Sequence, residues 1–118
     1  MFRVFRSDWY DKKLNRLDKF EQQRISKFEQ QLKEEPYQGK PLGYKFFREK
    51  KVKNYRFYYL IYDEYVVVFV IAISDKKDQQ KVIDQIKNLI PFYREQIRNR
   101  TLIYSSFPRL YLTFSYVF

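Results

Sequence analysis

The chain has 118 residues, 45% of them hydrophobic and 21% aromatic, which is enough to bury the core of one domain and argues against disorder. It contains no histidine and no cysteine, which excludes a Ser-His-Asp triad, a thiol nucleophile, disulfides and the commonest zinc ligands. The formal net charge of +10 predicts an anionic partner (nucleic acid, an acidic protein or a membrane surface), unless the charge serves solubility alone.

The start of the chain lacks the apolar core of a signal peptide, and no segment is long and apolar enough for a transmembrane helix. We therefore expect a cytoplasmic protein with no membrane partner.

The first third of the chain predicts a short strand followed by helices. Phe2 to Arg6 alternates between the two faces of a strand. Asp8 and Asp18 are each expected to cap a helix, and Pro36 closes the second one, because the residue before proline avoids helical geometry. We interpret Asp8 to Glu34 as a helical hairpin, with one bent helix as the alternative.

A three-stranded meander is predicted from Lys45 to Ile73. The runs Phe57 to Tyr62 and Val66 to Ile73 are rich in β-branched and aromatic residues and flank a short polar break. The second run is apolar on both faces, as in a buried central strand. Because the start of one antiparallel strand lies beside the end of the next, Arg56 and Lys76 should meet at one edge of the sheet.

A helix with one apolar face is expected after the meander, capped by Ser74 or Asp75. Pro91 is expected either to end this helix or to begin a new segment, and a weaker helical stripe continues to about Arg100. The predicted buried face comprises Val82, Ile86 and Leu89.

The last stretch of the chain alternates along most of its length but is apolar on both faces. It either pairs with an exposed sheet edge, in the same molecule or another, or is an extension with no packed place. We therefore divide the chain into a domain over residues 1–100 and a C-terminal extension over residues 101–118.

Cations and aromatic residues alternate between positions 40 and 57, where only one acid, Glu49, occurs. Cations bind phosphates and aromatic faces stack on unpaired bases, so the cluster predicts a nucleic-acid groove. The alternative is a solvated edge strand, in which lysines block unwanted pairing. The cations are Lys40, Lys45, Arg48, Lys50, Lys51, Lys53 and Arg56.

Four short motifs occur in order along the chain. They are Leu42-Gly43, residues 47–51 (FREKK), residues 55–59 (YRFYY), and the apolar run Val66 to Ile73 with Lys76 and Lys77 behind it. With these motifs the chain resembles the RelE/ParE superfamily of toxins from type II toxin–antitoxin systems, and within it the RelE branch. The resemblance covers most of the chain from residue 2 to about residue 90.

The resemblance and the predicted elements imply the same α+β fold. A small antiparallel sheet, made of the N-terminal strand and the meander, packs against the helical hairpin, and a C-terminal helix follows. The resemblance further implies a ribosome-dependent mRNA endoribonuclease, which attacks the adjacent phosphate with a ribose 2′-hydroxyl and uses no metal or other cofactor. Its partners would be mRNA and ribosomal RNA in the A site, and an acidic antitoxin protein that neutralises it in a hetero-oligomer.

By the resemblance, Arg56 matches the family's strand-opening arginine and would clamp the phosphate and stabilise the transition state. Arg48 and Lys50 fall near a pair of lysines on the preceding strand, where Lys51 is the rival of Lys50. Lys76 stands where a basic residue often follows the apolar strand, with Lys77 as its rival. The predicted catalytic residues are therefore Arg56, Lys50, Arg48 and Lys76, and the predicted RNA-binding residues are Lys45, Lys51, Lys53, Tyr55 and Lys77.

The C-terminal helix departs from the family pattern. Active members often carry a tyrosine or histidine there, whereas this chain has the sequence Gln79-Gln80-Lys81-Val82. Two alternatives therefore stay open: a ParE-like toxin that inhibits DNA gyrase without catalysis, and a decayed toxin that retains only antitoxin or RNA binding.

Overall fold

The computed structural model describes residues 1–106 and 115–117, which form a six-stranded sheet with helices on both faces. The strands are β1 (Arg3–Arg6), β2 (Lys40–Pro41), β3 (Phe47–Val52), β4 (Tyr55–Tyr62), β5 (Val67–Ser74) and β6 (Ser115–Val117), in the spatial order β2-β3-β4-β5-β1-β6. The helices are α1 (Asp8–Asn15), α2 (Lys19–Glu34) and α3 (Gln79–Ser106), and short 3₁₀ turns span Pro36–Gln38 and Asp63–Tyr65. The predicted α+β fold is confirmed.

The sheet is organised around β5, whose residues are all buried, as its continuous apolar sequence predicts. β3, β4 and β5 form the predicted antiparallel meander. β1, however, pairs with β5 in parallel, so the sheet is mixed and not antiparallel throughout. The two strands are neighbours in the sheet but distant in the chain: the helices after β1 lead to β2 at the far edge, so no tight turn joins β1 to β5 and none requires antiparallel pairing.

Two hydrophobic cores lie on opposite faces of the sheet. On what we call the hairpin face, Phe57 and Tyr59 of β4 pack with side chains of α1 and α2. On the opposite face, which we call the α3 face, Tyr58 and Leu60 pack with side chains of α3. Successive β4 residues therefore alternate between the two cores, as a fully buried strand requires.

The helical hairpin forms as predicted, as two helices and not one bent helix. Asp18 caps α2 by accepting a hydrogen bond from the backbone amide of Glu21 at 2.8 Å. The cap of α1 is Ser7 and not Asp8, because the Ser7 hydroxyl oxygen accepts the amide of Tyr10 at 3.0 Å. Asp8 lies one residue later, in the first turn, where a carboxylate faces the positive end of the helix.

Helix α3 is continuous through Pro91, so the prediction that this proline ends or begins a segment is wrong. The helix continues because Ile86, Tyr93 and Ile97, on both sides of the proline, are buried in the core on the α3 face. That burial outweighs the one backbone hydrogen bond that proline cannot donate. The helix reaches Ser106, so the division at residue 100 falls inside α3, and the separation into domain and extension stays a prediction.

The C-terminal residues 115–117 form β6, which pairs antiparallel with β1. For these residues the structure shows the edge pairing within one molecule, which is one of the predicted alternatives. The rest of the predicted strand, residues 107–114 and 118, lies outside the described residues. Within the described part of the chain, no helix is long and apolar enough to cross a membrane.

A buried tyrosine without a hydrogen-bond partner gives a stability prediction. The Tyr62 hydroxyl is buried and unpaired among the described residues, and burial raises the pKa of this phenol above its ordinary value of 10.0. We expect Tyr62→Phe to keep or slightly raise the free energy of unfolding at pH 7, since no hydrogen bond is lost. Tyr58→Phe is the control, because its hydroxyl bonds Ser74 at 2.8 Å and its loss should cost about 1 kcal/mol.

The same phenol predicts a dependence on pH. A pKa raised by folding means that the unfolded chain loses this proton first, so stability is full below about pH 10 and falls as the pH rises further. Urea unfolding at pH 7 and near pH 11 should show a smaller alkaline loss for Tyr62→Phe than for the parent. Other tyrosines with raised pKa values, among them Tyr10 and Tyr59 (raised by burial to about 12), cause the remaining loss in both proteins. An equal alkaline loss would contradict the assignment to Tyr62.

Candidate functional site

A basic depression, which we call the basic pocket, lies where β3 and β5 end and β4 begins. Register places Lys51 opposite Arg56, and Arg56 opposite Ser74. The pocket has a volume of about 360 Å³. Its lining residues are Lys51, Asn54, Arg56, Asp75, Lys76 and Lys77. Arg56 and Lys76 therefore line one pocket, as the antiparallel register predicts.

Three lysines of the basic pocket are electrostatically uncompensated. Lys51, Lys76 and Lys77 are exposed, and none forms an ion pair within the part of the chain that the structure describes. Like charges held close together repel one another, and an anion bound among them relieves this repulsion. The charge of these lysines therefore favours an anion in the pocket over a cation.

The Arg56 guanidinium forms an ion pair with the buried carboxylate of Glu49. Its side chain is only 13% exposed, and its Nε lies 3.3 Å from Oε1 of Glu49 in an ion pair that lacks hydrogen-bond geometry. The Nε2 of Gln79, the first residue of α3, donates to both Glu49 oxygens at 3.0 and 2.9 Å. This chain of contacts from α3 to β3 to β4 restricts the guanidinium to the pocket wall.

Two of the predicted catalytic residues lie on the opposite face of the sheet. Lys50 pairs with Phe57 and Arg48 with Tyr59, and both partners belong to the core on the hairpin face. Since directly paired residues share a face, Lys50 and Arg48 project away from Arg56. The structure thus brings Lys51, the rival position, to the basic pocket, and it does not bring Lys50 there.

Arg48 has a local structural role. Its guanidinium donates to the carbonyl oxygens of Lys45 at 2.8 Å and Gly39 at 2.9 Å, and it lies 5.0 Å from the centre of the Tyr37 ring. These contacts tie the loop before β3 to the loop before β2. A side chain with its donors used in this way holds loop geometry and is not poised to bind a phosphate in the basic pocket.

The predicted RNA-binding residues are spread over three places. Lys77 and Lys51 line the basic pocket, and Lys53 is exposed in the turn between β3 and β4, with a φ of 57°. Tyr55 lines a neighbouring cavity beside α1 and α3. Lys45 precedes β3, at the other end of that strand, with its Nζ 5.4 Å from the centre of the Tyr37 ring. Of the predicted RNA-binding residues, only Lys51 and Lys77 therefore line the basic pocket.

Sequence reasoning missed the two residues that hold Arg56. Glu49 is 8% exposed, and in the sequence it is distinguished only as the single acid among seven cations. The signal was the strand alternation, because Glu49 lies two residues before Lys51 and therefore shares its face. No comparable signal marks Gln79, whose position depends on how α3 packs across the sheet.

Comparison with known proteins identifies the fold. No protein-family model matches the chain, and no curated protein sequence is similar to it. The intact RelBE toxin–antitoxin complex of Escherichia coli contains a chain that superposes with a TM-score of 0.58 at 24% identity, over 64% of this chain and 96% of that one. The RelBE2 toxin–antitoxin complex of Mycobacterium tuberculosis gives 0.57 at 23% identity, over 64% and 98%.

The isolated RelE toxin of Escherichia coli is similar to a larger part of this chain. It superposes with a TM-score of 0.58 at 22% identity, over 73% of this chain and 99% of the toxin. The chain therefore has the fold of the RelE toxins, extended beyond the length of that relative.

Proposed function

We propose that this protein is the toxin of a type II toxin–antitoxin system and cleaves mRNA on the ribosome. The observation that carries the proposal is the basic pocket on a RelE fold: one depression of about 360 Å³ is lined by Arg56 and by three lysines that form no ion pair among the described residues. The three similar structures named above are a toxin and two toxin–antitoxin complexes, which supports the class.

The proposed reaction is a transesterification within the RNA. The ribose 2′-oxygen bonds to the adjacent phosphorus, the bond from phosphorus to the 5′-oxygen breaks, and a 2′,3′-cyclic phosphate results. One proton leaves the 2′-hydroxyl and one joins the departing 5′-oxygen. The pocket lining offers a carboxylate, Asp75, and the lysine amines as proton-transfer groups, and it needs no metal in this scheme.

Electrostatic stabilisation is the main contribution of the pocket. Negative charge builds on the phosphorus oxygens in the transition state, and preorganised cations stabilise it without reorganising. In this proposal Arg56, whose Nε is paired with Glu49, binds two of these oxygens with its guanidinium. Lys51 and Lys76 face the same space from β3 and from the segment after β5.

An acidic antitoxin protein is the proposed partner in the cytoplasm. The chain has a formal net charge of +10, and the exposed lysines of the basic pocket, which form no ion pair in the described part of the chain, would attract an acidic segment as readily as a phosphate backbone. Such a segment would fold as it binds, with its carboxylates at the basic pocket.

The test is to map mRNA 5′ ends in cells that briefly express the chain, with Arg56→Ala expressed alongside. We expect new 5′ ends within translated reading frames, and none from Arg56→Ala. Arg98→Ala is the matched control, because Arg98 is 60% exposed on α3 and does not line the pocket, so its cleavage pattern should equal the parent's.

Other outcomes of this experiment separate the alternatives. Intact mRNA with arrested growth would refute the nuclease and indicate a gyrase inhibitor. Intact mRNA with normal growth would indicate a decayed toxin, which the sequence Gln79-Gln80-Lys81-Val82 at the start of α3 would then explain.

A further inference from the structure

A second cavity adjoins the basic pocket on the other side of Asp75. It lies between α1 and α3 at the end of β5 and has a volume of about 420 Å³. We call it the Trp9 cavity. The residues that bear on its chemistry are Trp9, Lys13, Arg16, Tyr55, Asp78 and Lys81, with Asp75 shared between the two depressions.

The cations of the Trp9 cavity outnumber its carboxylates by three to two. Lys13, Arg16 and Lys81 are exposed, and none forms an ion pair in the described ranges of the chain. Two carboxylates line the cavity too, but Asp75 Oδ1 accepts the backbone amide of Asp78 at 3.0 Å, which engages it in the turn before α3. Together the two depressions carry seven cations and two carboxylates.

The Trp9 cavity combines these cations with aromatic surface. Trp9 and Tyr55 are both half-buried, so each is fixed by packing while part of its ring stays accessible. Aromatic rings next to cations form the platform that binds single-stranded nucleic acid: the bases stack and the cations hold the backbone. The basic pocket itself has no aromatic lining residue, so the two depressions offer complementary chemistry.

The chain connects the two depressions directly. Tyr55 and Arg56 are consecutive residues of β4, one lining the Trp9 cavity and the other the basic pocket. β5 ends at Ser74, and Asp75, the next residue, lines both depressions. An RNA strand with one phosphate beside Arg56 needs to extend past only this strand end for its next nucleotide to enter the Trp9 cavity.

We propose that the Trp9 cavity is a second nucleotide-binding site, which holds a base and phosphate of the same single-stranded RNA next to the phosphate in the basic pocket. This inference rests on the proposed function and adds to it a site that selects the flanking nucleotide. The site takes an unpaired base, because stacking needs an exposed base face that a duplex does not offer.

The single tryptophan of the chain makes the test direct. Trp9 is the only tryptophan, so intrinsic tryptophan fluorescence reports on ligands bound next to it; because Trp9 also borders a depression beside Phe92 and Tyr93, variants of the cavity's own cations assign the signal. The full chain is titrated with a single-stranded RNA on the order of eight nucleotides long, within the usual site size for such proteins. We expect saturable quenching of Trp9 fluorescence, with an affinity that falls as salt increases.

Alanine variants distinguish RNA binding in the Trp9 cavity from nonspecific attraction to the positive charge of the protein. Replacing Lys13, Arg16 and Lys81 together by alanine should weaken binding at least tenfold and reduce the log–log salt slope by about 2, at about 0.7 per phosphate contact on a single strand. The matched control replaces Lys12, Lys19 and Lys27, which are exposed, do not line the cavity and remove the same charge. The control should change affinity less than threefold and leave the quenching amplitude unchanged.

Two further titrations identify the ligand and test binding in the Trp9 cavity independently of mRNA cleavage. Arg56→Ala should retain the quenching, because Arg56 does not line the Trp9 cavity, whereas the same variant should abolish mRNA cutting in cells. Inorganic polyphosphate, which has no bases, should bind without quenching. Equal weakening by the two triple variants, absence of quenching by RNA, or equal quenching by polyphosphate would each overturn the proposal.

Discussion

Glu29→Ala is expected to lower the free energy of unfolding by about 3–5 kcal/mol, the cost of leaving a buried charge without its partner. Glu29 lies on α2 and is completely buried. Its two oxygens accept hydrogen bonds from Arg6 of β1 at 2.8 and 2.7 Å, and Oε2 also accepts the Tyr10 hydroxyl of α1 at 2.8 Å. One carboxylate therefore joins the helical hairpin to the sheet.

The ionisation of the neighbours shows how closely this network is coupled. Burial lowers the pKa of the Arg6 guanidinium, but the hydrogen bond and charge of Glu29 raise it by more, so Arg6 stays charged. Burial, and then the charge and hydrogen bond of Glu29, raise the pKa of Tyr10 well above its ordinary value, so the phenol stays a donor. Without Glu29, the guanidinium and the hydroxyl both lose their acceptor.

Urea unfolding at pH 7 measures the loss. Asp11→Asn is the control, because the Asp11 carboxylate is partly exposed and lies 3.7 Å from Arg6, so its removal should cost less than 1 kcal/mol. The double variant Arg6→Ala/Glu29→Ala should lose less than the sum of the two single losses, since it leaves no charge unpaired. A loss below 1 kcal/mol for Glu29→Ala would contradict the role given to this network.

Local sequence patterns predict the centre of the sheet well, because those patterns have few alternatives. The continuous apolar run of β5 fits only a strand buried on both faces, and the β4–β5 break fits a short connection. The meeting of Arg56 and Lys76 follows from that hairpin alone. The parallel pairing of β1 depends on how the helical hairpin crosses the sheet, and no pattern within β1 records it.

The side chains of the candidate site are harder to predict, because a shift of one residue along a strand reverses the face. Lys50 and Lys51 are equivalent as sequence, and only the register with Phe57 and Arg56 assigns them to opposite faces. The prediction of a break at Pro91 is wrong for another reason. Proline disfavours a helix interior, but the packing of α3 against the sheet outweighs this local preference. To predict a site that forms at strand ends, the strand register must therefore be known as well as the sequence motif.

The proposed nuclease function predicts that Arg56→Ala lowers the single-turnover rate of mRNA cleavage on purified ribosomes by about 10²–10³-fold, the usual cost of removing one preorganised donor from a developing oxyanion. Arg56→Lys should recover only a small part of this, because an ammonium cannot bind two phosphate oxygens in the fork geometry of a guanidinium. The measurement uses an excess of the protein over ribosomes, so that the rate constant reports on the bond-breaking step and not on turnover. Circular dichroism should show both variants folded.

The strand register supplies a matched pair of controls for this prediction. Lys51→Ala removes a cation from the basic pocket and should lower the cleavage rate about tenfold or more, whereas Lys50→Ala removes the neighbouring cation from the hairpin face and should leave it within twofold. The two variants have the same net charge, so nonspecific attraction to the ribosome is equal in both. A larger loss for Lys50→Ala than for Lys51→Ala would show that the reacting phosphate does not lie in the basic pocket.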